Sequence, residues 1–197
     1  MKEGEIMPPK AKITKEMVVN AGFDIVRKEG QENLNVRRIA AELNCSTQPI
    51  MYHYKTVEEL KADIYAAADS FHTEYIMDPD EKADNPMLSI GLNYIKFGYN
   101  EKFLFRFLFQ SDKLQNTSLK ELLEGEEMEF LIQPLAQQTG LTLVQARKAF
   151  EALFICAHGM ASLLANNSME YNPEHCARLL TSTFMGIVGA VMKGEEI

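Results

Sequence analysis

Apolar residues recur with helical spacing along the N-terminal third of the chain. Before residue 30, one helical face collects the apolar side chains Ile13, Met17, Val18, Ala21, Ile25 and Val26. Thr14 is suited to cap this helix, and Gly30 is a stop signal. A second, shorter run follows Asn35, another capping residue, and places on one face Val36, Ile39, Ala40 and Leu43. Two amphipathic helices are therefore predicted before residue 44.

The apolar pattern breaks at Asn44 and Cys45. Ser46 is a good cap for a further helix, and Pro49 falls in its first turn, where a missing N–H has little effect. Thr56 is expected to cap the next helix, which has two glutamates in its first turn. This layout is typical of a helix-turn-helix, whose second helix enters the major groove. We expect an exposed segment of about three turns, beginning near Ser46, that contacts a DNA duplex.

Helical spacing continues to the C terminus, without the alternation typical of strands. Helices are predicted over residues 56–77, 87–99, 101–109, 118–139, 142–166 and 173–192. Pro134 should kink or divide one of them, and the stretch DPDEKADNP (78–86) is expected to be a loop and a hinge. The chain is thus predicted to be all-α, with about nine helices. A three-helix helix-turn-helix domain over 11–65 precedes a helical bundle over 66–197.

The charge of the chain is distributed unevenly. The 197 residues have a formal net charge of −8, a sequence pI of about 5.1 and 46% hydrophobic residues, enough for a sizeable core. Residues 1–61 carry 10 Lys and Arg against 9 Asp and Glu, which leaves 10 and 19 for the rest. Phosphate would therefore repel the C-terminal part, whereas the near-neutral N-terminal part can gather positive charge on one face.

Three cysteines, Cys45, Cys156 and Cys176, have no CxxC spacing and are interpreted as reduced, buried residues. Residues 1–10 are charged, contain two prolines and lack an apolar signal-peptide core, and residues 1–11 are expected to form a flexible tail. The longest apolar run, 152–165, is shorter than a membrane span. These features predict a cytoplasmic protein with no membrane association.

Small residues recur at regular spacing in the last two predicted helices. One set is Ala157, Ala161 and Ala165, and the other is Ser182, Gly186, Gly189 and Ala190. Small side chains let two helices approach closely, either within the chain or across a dimer interface built as a four-helix bundle. The dimer is favoured, because helix-turn-helix proteins usually bind two half-sites as a pair.

The segments RRIAAELNCST (37–47) and YHYKTVEEL (52–60) follow a capped helix and precede about 130 acidic, helical residues. In this order they resemble the TetR family of bacterial transcriptional regulators, and AHGMASLL (157–164) is similar to a segment of some members. The resemblance implies a homodimeric repressor that binds a palindromic operator. It also implies a C-terminal domain that binds a small-molecule effector and needs no cofactor.

The resemblance also assigns DNA contacts. Thr47, Gln48 and Pro49 open the recognition helix, Tyr52 and His53 match residues that lie against the DNA backbone or a base, and Lys55 matches a phosphate clamp. Two positions depart from the family pattern, because Met51 replaces a usual Tyr and Val57 a usual Lys. The predicted DNA-binding set is completed by Arg37, Arg38 and the capping residues Thr14, Asn35 and Ser46.

Each predicted contact has a chemical basis. The Gln48 amide has the geometry to pair with adenine N6 and N7. Thr47 and Pro49 present apolar surface to a thymine methyl, while Tyr52 and His53 donate to phosphate oxygens. Tyr52 or His53 could instead belong to the protein core, and one of the two arginines could be solvated surface.

An effector site is suggested by aromatic and flexible apolar residues in the C-terminal part. The candidates are Tyr75, Tyr94, Phe97, Phe103, Phe107, Met128, Phe154 and His158. The alternative is that most of them are ordinary core residues. His158 differs from the others because it is a titratable group in an apolar helix, able to bond a ligand or a backbone carbonyl. The abundance of Phe and Met favours an apolar effector.

Other functional classes find less support. The sequence has no Gly-rich phosphate loop, GxSxG, HExxH or paired-carboxylate motif, so no catalytic residue is assigned and the chain is not expected to be an enzyme. His175 and Cys176 are adjacent and should diverge on a helix, which makes a poor metal pair, and no metal site is assigned. A metal sensor, or a helical interaction protein with weak or no DNA binding, remains the alternative.

Overall fold

The computed structural model describes residues 13–78, 86–111, 125 and 128–195. Within these residues the chain forms nine α-helices, one 3-10 turn and no strand, which confirms the all-α prediction. The helices are α1 (Lys15–Glu29), α2 (Val36–Glu42), α3 (Thr47–Met51), α4 (Val57–Met77), α5 (Pro86–Asn100), α6 (Lys102–Phe109), α7 (Glu129–Thr139), α8 (Leu143–Ala165) and α9 (Pro173–Met192). The 3-10 turn, Gln31–Asn33, lies between α1 and α2.

The chain divides into two compact units, with the boundary between Ala67 and Ala68 inside α4. The N-terminal unit contains α1 to α3 and the first half of α4, and the C-terminal unit contains the remaining helices. The predicted tail, most of the predicted hinge loop and the start of the helix predicted from residue 118 lie outside the described residues.

The core of the N-terminal unit is aliphatic. Side chains from all four of its helices are buried to 2% exposure or less, namely Val18, Ile25, Val26, Ile39, Ile50, Leu60 and Ile64. Burying each such side chain stabilises the fold by roughly 1.5–3 kcal/mol. The predicted apolar faces of α1 and α2 therefore point towards a shared core.

A tight turn joins α2 to α3. Asn44 adopts a left-handed conformation with φ 49°, which Asn tolerates better than most residues. The Asn44 amide donates to the Ala41 carbonyl (3.1 Å) and the Cys45 amide to the Ala40 carbonyl (2.9 Å). These two bonds form a Schellman motif, which satisfies the last carbonyls of α2 and stops the helix where its apolar pattern ends.

The recognition helix is shorter than predicted. α3 contains five residues, about one and a half turns, instead of three turns. Its Ser46 cap also differs from the prediction, because the Ser46 hydroxyl makes no capping hydrogen bond. Helix α3 ends before Tyr54, which is buried and turns the chain towards α4.

Helix α8 is the centre of the C-terminal unit and packs against α5, α6, α7 and α9. Its closest approach is to α5, where a Cβ added to Gly98 would lie 2.6 Å from the Ala161 carbonyl oxygen and 2.8 Å from the Ala161 Cα. The expectation that Ala157, Ala161 and Ala165 form a dimer interface is therefore wrong. All three are buried inside their own unit, and the small side chain of Ala161 lies where α5 and α8 touch.

Helix α7 continues through Pro134, so the proline does not divide it. A proline inside a helix costs about 3 kcal/mol through its missing N–H and its ring. Leu131, Ile132, Leu135 and Ala136 of α7 are buried in a core cluster with α8 residues. Tertiary packing of this kind offsets the local preference to break the helix.

Replacing Gly98 with Ala should lower the free energy of unfolding by about 1–3 kcal/mol, because the new Cβ would overlap the Ala161 backbone. Gly91→Ala in the same helix is the matched control, since its Cβ would meet only the Leu180 side chain, which can rotate. Urea unfolding of both variants measures the difference. Equal losses for the two variants would contradict the close approach of α5 and α8.

Candidate functional site

Helix α3 has one buried side and one side exposed to solvent. Ile50 is fully buried, whereas Thr47, Gln48 and the Ser46 cap are exposed. Tyr52, just after the helix, is 78% exposed, which is unusual for a large aromatic side chain. The polar side chains predicted to contact DNA at the start of α3 therefore lie on the surface of the N-terminal unit.

The two side chains that follow α3, Tyr52 and His53, each have one hydrogen-bond contact. The Gln48 amide lies 3.4 Å from the Tyr52 hydroxyl, a long and weak contact. His53 places Nε2 3.0 Å from the Ile13 carbonyl oxygen, so Nε2 carries the proton and donates it. In the neutral ring Nδ1 is then only an acceptor, and it cannot donate to a phosphate. The predicted phosphate contact from His53 thus requires a doubly protonated ring or a different rotamer.

Tyr54, just after the helix-turn-helix, contacts residues of both α1 and α4. Its hydroxyl donates to Asp63 Oδ2 (2.9 Å), which also accepts from Lys15 Nζ at 2.6 Å. The Lys15 ammonium lowers the pKa of Asp63, and burial raises the pKa of Tyr54. The Lys15 ammonium also lies over the Tyr54 ring, 5.3 Å from its centroid. This network fixes where α3 ends and where α4 begins.

Arg38, one of the predicted DNA contacts, pairs with carboxylates of α1 and α2. Its guanidinium donates to Glu29 at 2.5 and 3.3 Å and to Glu42 at 2.8 Å. These bonds lower the pKa of Glu29 and raise the pKa of Arg38. They hold α1 against α2 and use three of the five guanidinium N–H donors, and contact of Arg38 with DNA remains a prediction. The neighbouring Arg37 is exposed.

The capping residues have local partners. Thr14 accepts from the Met17 amide at 3.2 Å, and Asn35 accepts from the Arg38 amide at 2.9 Å, as predicted for N-caps. The Asn35 side chain also donates to the Asn33 carbonyl at 3.2 Å. Thr56 caps α4 by accepting from the Glu59 amide at 3.1 Å. Contacts from Thr14, Asn35 and Ser46 to DNA remain predictions.

Lys55 contributes to α4 through its backbone. Its amide donates to Glu59 Oε2 at 2.8 Å, which fixes the chain in front of the helix, while the residue itself is exposed. The contact of the Lys55 ammonium with phosphate remains a prediction.

The C-terminal unit contains an aromatic cluster around His72 of α4. The His72 ring makes edge-to-face contacts with Tyr94, Phe97 and Phe109, with centroids 5.5, 4.8 and 5.1 Å away. His72 is only 7% exposed, and its Nε2 atom has no hydrogen-bond partner. Burial lowers the pKa of His72 to about 4, so the ring is neutral at pH 7.

Tyr94 and His158 form the second polar element of this cluster. The Tyr94 hydroxyl lies 2.9 Å from His158 Nδ1. Burial raises the pKa of Tyr94 and lowers the pKa of His158. The phenol therefore keeps its proton and the imidazole is neutral, and the tautomer of His158 decides whether the phenol or Nδ1–H donates.

The structure brings half of the predicted effector residues together. Tyr94, Phe97, Phe154 and His158 belong to the cluster, and Tyr75 touches it through Phe97. Phe103 lies under the Arg106 guanidinium, Met128 packs on the core of α7, and Phe107 is buried. For Phe103, Met128 and Phe107, contact with an effector remains a prediction.

Sequence reasoning missed His72, Phe105 and Phe109 as members of the cluster. A signal was present for His72, because it continues the four-residue spacing of Ile64 and Ala68, both of which are fully buried. A histidine in this register lies on the core side of α4. Phe105 and Phe109 could not be assigned to the cluster from sequence, because α6 has no polar face that would show which of its phenylalanines point inwards.

The described residues contain no group of three or more His, Cys, Asp or Glu side chains that could hold a metal ion. His175 is exposed and Cys176 is buried, so the two side chains diverge as predicted.

Helices α8 and α9 carry exposed apolar and small residues, which we call the α8–α9 face. On α8 it consists of Ile155, Gly159 and Leu163, and on α9 of Leu179, Ser182, Met185, Gly186 and Met192. Met185 is 66% exposed. By length and composition both helices could cross a membrane, a property that core helices of soluble proteins share. Such an apolar surface is typical of a helix pair that a partner covers.

The solved structures that match this chain include two proteins from Rhodococcus sp. RHA1. A TetR-like transcriptional regulator matches with a TM-score of 0.61 and 16% identity, over 96% of this chain and 100% of the other. A second transcriptional regulator matches with a TM-score of 0.65 and 16% identity, over 94% and 99% of the two chains. This chain has the TetR-like fold. No protein-family model and no curated protein sequence matches it.

The TetR-like fold extends the resemblance from about residues 11–65 and the segment 157–164 to both units of the chain. At 16% identity the likeness concerns the course of the backbone. The chemistry of each site therefore depends on this chain's own side chains.

Lowering the pH from 6.5 to 4 should destabilise the protein through His72. The unfolded chain binds a proton at His72 with a pKa near 6.5, whereas in the folded protein this pKa is about 4. The unfolded state binds more protons in this window, so the free energy of unfolding falls with pH, by of the order of 3 kcal/mol.

Urea unfolding of the wild type and His72→Phe at several pH values isolates this contribution, because the carboxylates are common to both proteins. The variant should lose less stability between pH 6.5 and 4. His175→Phe, at an exposed position on α9, is the control and should behave like the wild type. The same pH dependence in all three proteins would refute the assignment.

Proposed function

We propose that this protein is a DNA-binding transcriptional repressor that binds a palindromic operator as a homodimer and responds to a small-molecule effector. The observation that carries the proposal is the exposed polar side of α3, held by a buried Ile50, in a chain of TetR-like fold. The two structural neighbours are named as transcriptional regulators. A cytoplasmic location follows from this role.

The charge distribution supports DNA binding by the N-terminal unit alone. Its residues are close to neutral, and Arg37, Lys55 and Lys61 are exposed cations there. The acidic C-terminal unit would be repelled by phosphate, which directs the N-terminal unit towards the duplex. Non-specific affinity should therefore be modest and should fall as the salt concentration rises.

Direct base recognition is assigned to Gln48, with Thr47 and Pro49 beside it. The Gln48 amide makes only a long contact with Tyr52, so it is free to turn towards adenine. The Tyr52 hydroxyl and the Lys55 ammonium then act on phosphates and set the register. Met51 is exposed and has no donor to replace the usual Tyr, so fewer backbone contacts are expected.

Dimerisation is assigned to the α8–α9 face. A Cβ added to Gly159, Gly186 or Gly189 would meet no atom of the described residues within 4 Å, apart from its chain neighbours and the nearby backbone of its own helix. Glycine in a helix costs roughly 1 kcal/mol relative to alanine, and packing among the described residues offers no compensation there, in contrast to Gly98. Close approach of a second copy of the chain would explain why glycine occupies these helix positions. Of the predicted interface residues, Ser182, Gly186, Gly189 and Ala190 keep this role.

A helical interaction protein with weak or no DNA binding is the second candidate. It is favoured by Met51 and Val57, which remove a hydroxyl and a positive charge from the family's phosphate contacts. Selection of bound duplexes from random DNA separates the two functions, because only the regulator enriches a palindrome.

Gln48→Ala should weaken binding to a selected operator by roughly 1–3 kcal/mol and relax specificity at one base pair. Lys55→Ala is the matched comparison, since loss of a phosphate contact should weaken all sequences alike and lower the salt slope by about one. Titration of operator and random duplexes at several salt concentrations measures both effects. If Gln48→Ala weakens random DNA as much as the operator, Gln48 does not read a base.

Met185→Asp should disrupt the homodimer, because the carboxylate would be buried without a partner at the α8–α9 face. We expect the dimer dissociation constant to rise by roughly a hundredfold or more. Phe130→Asp on α7 is the control, since Phe130 is also exposed and apolar but lies outside this face. Analytical ultracentrifugation measures both variants. A monomeric wild type, or an intact Met185→Asp dimer, would exclude this interface.

A further inference from the structure

The buried Nε2 atom of His72 has no hydrogen-bond partner, which is unusual among the described residues. Among the described side chains only His72 Nε2 and the Ser111 hydroxyl are buried without a hydrogen-bond partner. A buried polar atom in this state destabilises the fold, so a native protein that keeps one needs a reason. Phenylalanine would fill the same aromatic environment without this penalty.

The surroundings of His72 define which ligand it could bind. Tyr94 and His158 bond each other and leave Nε2 of His72 without a partner. The other members of the cluster are the phenylalanines Phe97, Phe105, Phe109 and Phe154. The three polar side chains are neutral at pH 7, so a ligand charge would have no counter-charge among them.

One side of the cluster is partly open. Phe97 and Phe105 are fully buried, whereas Phe109, Phe154 and His158 are half-buried. Tyr94 lies between the two groups and contacts both Phe105 and Phe154. A molecule that displaces the half-buried rings would therefore reach Tyr94 and then His72.

We infer that His72, Tyr94 and His158 form the polar centre of the effector site, and that the effector is a neutral, flat, mainly apolar molecule with one hydroxyl group. The inference rests on the proposed regulator function, which supplies the need for an effector. A hydroxyl group both donates and accepts, so it satisfies Nε2 in either tautomer of His72. Aromatic rings as walls favour a flat ligand, which packs against ring faces and edges.

The test uses 2-naphthol and naphthalene as matched probes that differ by one hydroxyl group. The chain has no Trp, so naphthol emission can be excited beyond the tyrosine absorption band with no protein background. The full-length protein should bind 2-naphthol about fivefold more tightly than naphthalene, the ratio expected for one additional hydrogen bond. The anion 2-naphthoate should bind at least about tenfold more weakly than 2-naphthol, because its charge has no partner.

Variants of His72 identify the atom responsible. His72→Phe should reduce the ratio between the two probes to about one while naphthalene still binds. His72→Gln keeps a donor and an acceptor and should retain part of the preference. His175→Phe, at an exposed position of α9, should leave the ratio unchanged. Helical circular dichroism and thermal unfolding of each variant show whether it is folded.

Three results would overturn the inference: no binding of either probe to the wild type, equal binding of both probes, or an unchanged preference in folded His72→Phe. Operator binding is measured separately on the same preparation. A chain that binds its selected operator but neither probe would contradict only this inference. A chain that shows the predicted probe preference but enriches no DNA sequence would contradict the proposed function and leave the site in place.

Discussion

The position of α3 depends on one buried side chain. A helix of five residues is far too short to be stable alone, because its few hydrogen bonds do not offset the entropy lost on nucleation. Ile50 is the only fully buried residue of α3, and it joins a core made by α1, α2 and α4. The Schellman turn before the helix and the Tyr54–Asp63–Lys15 network after it fix the two ends. The exposed face of α3 is thus presented by contacts that leave Gln48 and Thr47 unconstrained.

The C-terminal unit follows a different principle, in which small residues bring helices together and aromatic residues fill the space beside them. Gly98 and Ala161 let α5 touch α8, and rings of α5 and α6 surround His72 of α4. Burial keeps its polar groups neutral. An apolar core with a few neutral hydrogen-bonding atoms is the composition of a small-molecule site, and it is also a source of instability.

Prediction from sequence succeeded where the signal was local. The caps Thr14, Asn35 and Thr56 and the break at Asn44 were identified, because capping and left-handed turns depend on one residue and its immediate neighbours. Prediction was less successful where distant residues compete for the same group. Arg38 looked like a phosphate ligand, but Glu29, nine residues earlier, and Glu42 bind its guanidinium. Ala161 had the spacing of an interface residue, but α5 covers it.

The sequence by itself determined the helices, the helix-turn-helix layout and the uneven charge of this protein. Helical spacing and capping depend on residues close together in the chain, and the charge of each part depends on its composition alone. Only the tertiary structure decided which small residues pack inside the chain, which arginine is paired and which histidine lies unpartnered among aromatic rings. These outcomes depend on side chains that are far apart in sequence and meet only when helices pack. A periodic pattern specifies that a helix has an apolar face, and it does not specify which surface will cover that face.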